Sequence, residues 1–179
     1  KGWSIDPDPE TVRLLFPTGS NNATDFQAVA ALNALRNKLT LVVGGPGTGK
    51  TATVVKILGL MLNASPQLTI AMAAPTGKAA ARLSESIRDG LRFLPILESD
   101  RSIIPLEVRT VHRLLGYRKT NHTFRYNERE RLPFDVVIVD EASMVDLLLL
   151  DALFSAMPDH ARLILLGDQN QLPSVDTGH

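Results

Sequence analysis

Leu39-Thr40-Leu41-Val42-Val43-Gly44-Gly45-Pro46-Gly47-Thr48-Gly49-Lys50-Thr51 runs from a short apolar stretch through a glycine-rich octet, and a long apolar segment of helical character follows it. The octet has the spacing Gly-x-x-x-x-Gly-Lys-Thr in the setting that a phosphate-binding loop requires, a strand before it and a helix after it. Side-chain-poor backbone can curl so that successive N–H groups and the N-terminus of the following helix face an anion. Lys50 would then reach β- and γ-phosphates, and the Thr51 hydroxyl would ligate Mg²⁺. Gly45, Pro46, Gly47, Thr48, Gly49, Lys50 and Thr51 are accordingly the candidate residues for holding a nucleoside triphosphate.

Three more apolar runs suit strands: Leu68–Ala74, Asp135–Val139 and Arg162–Leu166. All four are nearly continuous in apolar residues, as in parallel strands covered on both faces. Helical patterns lie around and between them at Ala23–Arg36, Lys50–Leu62, Lys78–Phe93, Val111–Leu115 and Asp146–Met157. Strand alternating with helix predicts an α/β doubly wound fold, which with the glycine-rich octet reads as a phosphate-loop NTPase whose parallel sheet is flanked by helices. The segments Leu94–Glu107 and Gly116–Pro133 interrupt the rhythm and read as loops or an inserted hairpin. Residues 1–21 carry Pro7, Pro9, Pro17 and Gly19 among polar residues, the composition of a linker from a preceding domain, although Trp3, Leu14, Leu15 and Phe16 are able to dock. Residues 22–179 then form the main domain.

Composition narrows the chemistry. The 179 residues suit one domain, and the absence of cysteine excludes disulfides, thiolate zinc sites, iron–sulfur clusters and a cysteine nucleophile. Any metal is therefore a hard, oxygen-ligated ion. No apolar run approaches the roughly 18 residues that span a bilayer, and the start lacks the apolar core of a signal peptide, so the cytoplasm is the expected compartment with no membrane partner. Net charge is zero overall but uneven: seven Lys/Arg against two acids between Arg109 and Arg131 give +5, and one Arg against eight acids from Asp135 onward gives −7. The basic middle suits a polyanion's backbone or simply a solvated face. The chain starts without methionine and stops just after a strand-and-loop signal, which reads as a piece of something larger.

In parallel α/β sheets, ligands bind beyond the carboxyl ends of the strands, and the polar motifs fall there. Val136–Val139 ends in Asp140 and Glu141, two adjacent acids at the end of a core strand. Beside a phosphate loop, the first suits Mg²⁺ and the second a general base that polarises the attacking water. The same pair would also suit a helix start, where the dipole favours acids. Leu163–Leu166 ends in Gly167-Asp168-Gln169-Asn170-Gln171, and Gln171 is the candidate for sensing a γ-phosphate. Ala74-Pro75-Thr76-Gly77-Lys78 offers a hydroxyl, backbone N–H groups and Lys78 to a second anion, while helix capping by Thr76 alone explains it equally. Thr110-Val111-His112 can likewise touch a nucleic-acid backbone or form a capped short helix.

Taken together and in order, these motifs resemble a superfamily-one DNA helicase, and within it the RecD family, the alpha subunit of exodeoxyribonuclease V. The resemblance rests on Gly44–Thr51, on Ala-Pro-Thr-Gly-Lys-Ala-Ala-Ala-Arg-Leu at 74–83, and on Thr-Val-His-Arg-Leu-Leu-Gly at 110–116. Val-Asp-Glu-Ala-Ser-Met-Val-Asp at 139–146 and Leu-Gly-Asp-Gln-Asn-Gln-Leu-Pro-Ser-Val at 166–175 complete it. It implies a RecA-like parallel sheet flanked by helices, with ATP and Mg²⁺ as ligands, Lys50, Glu141 and Gln171 serving catalysis and Thr51 and Asp140 holding the metal. Gln27 looks like the adenine-reading glutamine of the Q motif, an exposed helix glutamine being the alternative. Pro75, Thr76, Lys78, Thr110 and His112 look like contacts to single-stranded DNA. The family further implies 5′→3′ movement, double-strand-break repair and RecB-like and RecC-like partners. The second motor domain with its arginine finger does not appear in the sequence, so the fragment is expected to turn ATP over about 10³–10⁵-fold more slowly. The rival readings are an Upf-like RNA helicase, a ring-forming AAA-type ATPase, and a nucleotide-binding structural module that never hydrolyses.

Overall fold

Strand order explains most of the architecture, because it decides which apolar faces are covered. A computed structural model describes residues 7–17, 25–45, 47–93 and 104–168. Five strands, β1 (Leu39–Val43), β2 (Ile70–Ala74), β3 (Arg109–Thr110), β6 (Val136–Val139) and β7 (Arg162–Gly167), form one sheet in the order β1-β7-β6-β2-β3. All four pairings are parallel. The register brings Val43 beside Gly167 and Ala73 beside Val139, so the strand ends line up as a common rim. Two further strands, β4 (Tyr117–Arg118) and β5 (Thr123–Phe124), make a small antiparallel hairpin within the segment read as a loop or hairpin.

Helices α1 (Pro9–Leu15), α2 (Phe26–Arg36), α3 (Lys50–Ala64) and α4 (Gly77–Phe93) cover one face, where Val42, Ile70, Met72, Val136, Ile138, Ile164 and Leu166 point. The alternate residues Ala71, Ala73, Val137, Val139, Leu163 and Leu165 meet α5 (Val111–Leu114) and α6 (Leu147–Ala156) on the other. This period of two along each strand, with both faces apolar, is why the central strands read as unbroken apolar runs. Helix α3 is apolar around most of its circumference because α1, α2, α4 and the sheet all pack on it.

Two expectations change. Residues 9–16, expected within a linker, form α1 and its end: Asp8 accepts from the N–H of Thr11 at 3.0 Å, and Leu15 and Phe16 lie in the main core. Burying each of those two side chains contributes about 1.5–3 kcal/mol, enough to hold so short a helix in place. Strand β1, expected to be covered on both faces, is covered on one. It sits at the sheet edge, so Val42 is buried while Leu39, Leu41 and Val43 stay 46, 64 and 55% exposed. Among the described residues no helix is long and apolar enough to cross a membrane.

Candidate functional site

The loop after β1 is shaped by its glycines. Gly47 and Gly49 have φ of 75° and 81°, a region that L side chains adopt only at a cost. A side chain on Gly44 would place its Cβ 2.6 Å from the Thr48 hydroxyl, which itself donates to the Gly45 carbonyl at 2.8 Å. Gly49 caps α3 without any side-chain bond, which leaves the N–H groups of the first turn open to an anion at the positive end of the helix dipole. The Lys50 ammonium folds back to donate to the carbonyls of Gly44 and of Gly45, the latter at 3.0 Å. It is thus held beside the loop rather than directed to bulk water.

Lys50 and Thr51 share a cleft of about 190 Å³ with Asp140, Glu141, Ser143, Leu166, Gly167 and Asp168. The N–H of Asp140 donates to Ala73 at 2.9 Å, extending the β6–β2 ladder one step, and its carboxylate accepts the Glu141 N–H at 2.9 Å. Burial pushes the Asp140 carboxyl above its ordinary value, against the opposing pull of the Glu141 N–H and the Lys50 ammonium. A half-buried carboxylate whose charge is under-compensated is a good site for a cation. No three His, Cys, Asp or Glu among the described residues cluster into a protein-only cage. One carboxylate and one hydroxyl, Asp140 and Thr51, instead suit Mg²⁺, which keeps waters and takes substrate phosphate oxygens as its other ligands. Glu141 has φ 50° and ψ 38°, a left-handed conformation for a residue with a side chain. Strain of this kind costs on the order of 1–3 kcal/mol and persists only where the surroundings impose it. Here it turns the chain sharply off β6 at the cleft wall.

Gln27 reaches the loop from the opposite side, on α2. Its Oε1 accepts from Lys56 Nζ at 3.3 Å, and its Nε2 lies 2.7 Å from where a Cβ on Gly49 would stand. The remaining candidates occupy the far end of the rim. Ala74 pairs with Thr110, so the turns carrying Pro75, Thr76 and Lys78 and those carrying Thr110 and His112 are neighbours. Thr76 accepts the Ala79 N–H and Thr110 the Arg113 N–H, each at 3.2 Å. Both hydroxyls therefore cap helices, and each keeps its own proton to donate. Thr76, Lys78 and His112 are exposed, and His112 packs edge-on to Tyr117 of the hairpin with ring centroids 5.4 Å apart. Two candidates, Pro46 and Gln171, lie outside the described residues. Sequence reasoning does not single out Ser143 and Asp168, which line the cleft, or Lys56. Asp168 directly follows an apolar strand, the signal that picks out Asp140.

The AAA domain family matches residues 27–177. The chain is 41% identical over 181 residues to the RecBCD enzyme subunit RecD of Haemophilus influenzae, covering 98% of this chain and 28% of that protein. It is 46% identical over 172 residues to the RecD subunit of Mycobacterium tuberculosis strain H37Rv, covering 93% and 29%. It is 40% identical over 142 residues to the ATP-dependent RecD2 DNA helicase of Deinococcus radiodurans, covering 79% and 17%. Among solved structures, S. cerevisiae Dbp5 bound to Gle1 shares the fold, with a TM-score of 0.54 at 18% identity over 95% of this chain and 46% of that one. The chain spans less than a third of the length of the three sequence relatives.

Proposed function

The chain belongs to the AAA domain family, and from that membership and its RecD-like sequence we propose that it is the ATP-binding motor domain of an ATP-dependent DNA helicase or translocase. The observation that carries this reading is the convergence of Lys50, Thr51, Asp140 and Glu141 on one cleft at the carboxyl rim of the sheet. The triphosphate lies against the loop and the uncapped start of α3, and Lys50 exchanges the Gly44 and Gly45 carbonyls for phosphate oxygens. Thr51 and Asp140 hold Mg²⁺, which when bound neutralises charge on the phosphate oxygens. Glu141 orients and deprotonates the attacking water, and Gln171 reports the γ-phosphate. Gln27 reads the base.

At the far end of the rim, Thr76, Lys78 and Thr110 contact backbone phosphates of single-stranded DNA, with Pro75 and His112 beside them. The full-length protein moves 5′→3′ in double-strand-break repair, in the cytoplasm, alongside RecB-like and RecC-like subunits. The test uses the full-length protein. Glu141→Gln should retain Mg-ATP binding in a calorimetric titration while turnover drops by about 10²-fold or more, and Lys50→Ala should abolish binding. Turnover that survives Glu141→Gln refutes the assignment. Stimulation of ATPase by RNA rather than DNA would point instead to an RNA motor.

A further inference from the structure

The contact between Gln27 and Lys56 has a polarity that the ammonium imposes. A lysine ammonium only donates, so of the two flips open to the Gln27 carboxamide the one with Oε1 toward Lys56 is required. That places the NH₂ group on the loop side, against Gly49. Lys56 is itself held, since its Nζ lies 4.6 Å from the centroid of the Phe16 ring, and Phe16 is only 4% exposed. Phe16 closes α1, so a core aromatic, a cation and an amide form one chain of contacts that ends at the phosphate loop. We propose that Lys56 is a positioning residue that fixes the flip of the Gln27 carboxamide and so sets how the site recognises a purine base.

The inference rests on the reading of Gln27 as the base-reading residue. An amide with its flip fixed offers one acceptor lone pair beside a donor, which matches the amino-and-ring-nitrogen edge of adenine. Guanine presents two acceptors on the corresponding edge and is poorly matched. Without Lys56 the amide samples both flips and must be ordered on each binding event. The triphosphate, held by the loop and α3, does not sense the difference.

The experiment compares Mg-ATP with Mg-tripolyphosphate by calorimetric titration on the full-length protein, for the parent, Lys56→Met, Lys56→Arg and Gln27→Ala. Lys56→Met keeps the aliphatic stem and should weaken ATP about three- to tenfold, the equivalent of one hydrogen bond, with tripolyphosphate affinity unchanged. Lys56→Arg, which still only donates, should restore the ATP preference. If Gln27→Ala loses the preference while Lys56→Met keeps it, the positioning role is overturned and the base reading stands. If Gln27→Ala keeps it, the base reading fails and the inference fails with it. Equal weakening of both ligands by Lys56→Met would mean a general loss of the fold around the loop and would also overturn the proposal.

Discussion

Replacing Gly49 with alanine isolates what the phosphate loop demands of its backbone. The residue sits at φ 81°, and the new Cβ would stand 2.7 Å from Gln27 Nε2. The left-handed backbone costs about 1–2 kcal/mol for a residue with a Cβ. The contact cannot be tolerated, so the Gln27 amide must swing away and lose its bond to Lys56, worth about 0.5–1.5 kcal/mol. The sum, about 2.5 kcal/mol, corresponds to a fall in melting temperature of roughly 5–10 °C for a domain of this size. Gly47 supplies the control. It has φ 75° but nothing within 4 Å of where its own Cβ would stand, so Gly47→Ala should carry the backbone cost alone. Thermal unfolding of both variants by calorimetry, without nucleotide, reads the difference. In a Gln27→Ala background the two variants should become equal. A Gly49→Ala protein that melts within about 1 °C of its parent, or no more easily than Gly47→Ala, would mean that Gln27 does not crowd this position.

Other consequences concern charge. Because burial raises the Asp140 carboxyl, the folded state binds that proton more tightly than the unfolded chain does, and its ionised form is penalised at neutral pH. Asp140→Asn should therefore raise the melting temperature near pH 7, with the gain vanishing below the ordinary value of 3.8, and should remove any Mg²⁺-dependent stabilisation by ATP. Asp135 behaves oppositely. Burial alone would raise it, but the N–H and hydroxyl of Thr69, each at 2.8 Å, together with His160 outweigh burial and hold it below the ordinary range. Its contribution, about 1.5–3 kcal/mol for bonds to a charged acceptor, is present above pH 3.8 and is lost as pH falls through the lower folded value. Melting curves across that range should show a shallower acid limb for Asp135→Asn.

The phosphate loop and the acid pair are legible in the sequence because their spacing is local: the chain that carries Lys50 and Thr51 is the chain that forms the loop, and Asp140 and Glu141 directly follow the buried run of β6 that sets them at the rim. The central strands are legible for the same reason. Contacts that depend on how separate elements cross are not. Lys56 and Gln27 lie 29 positions apart, and only the packing of α2 on α3 brings them together. The exposure of Leu41 and Val43 follows from strand order, which no local pattern encodes. Strand β3, two residues long, is too short to show any periodicity. The left-handed turn at Glu141 leaves no mark on composition, since glycine, the residue that normally signals it, is not there.

The order β1-β7-β6-β2-β3 also sets a distance. Three interstrand gaps of about 4.8 Å separate the phosphate loop from the turn bearing Thr76, roughly 14 Å in all, and Thr110 lies one gap further. That gulf is wider than any one side chain spans, so under the proposed function a change at a phosphate on the loop would reach the far turn only across the tips of the two intervening strands. Those tips carry Asp140 and Asp168, with Glu141 and Ser143 just beyond the first of them. A motor built on this rim, as proposed, would pass its stroke across those acids.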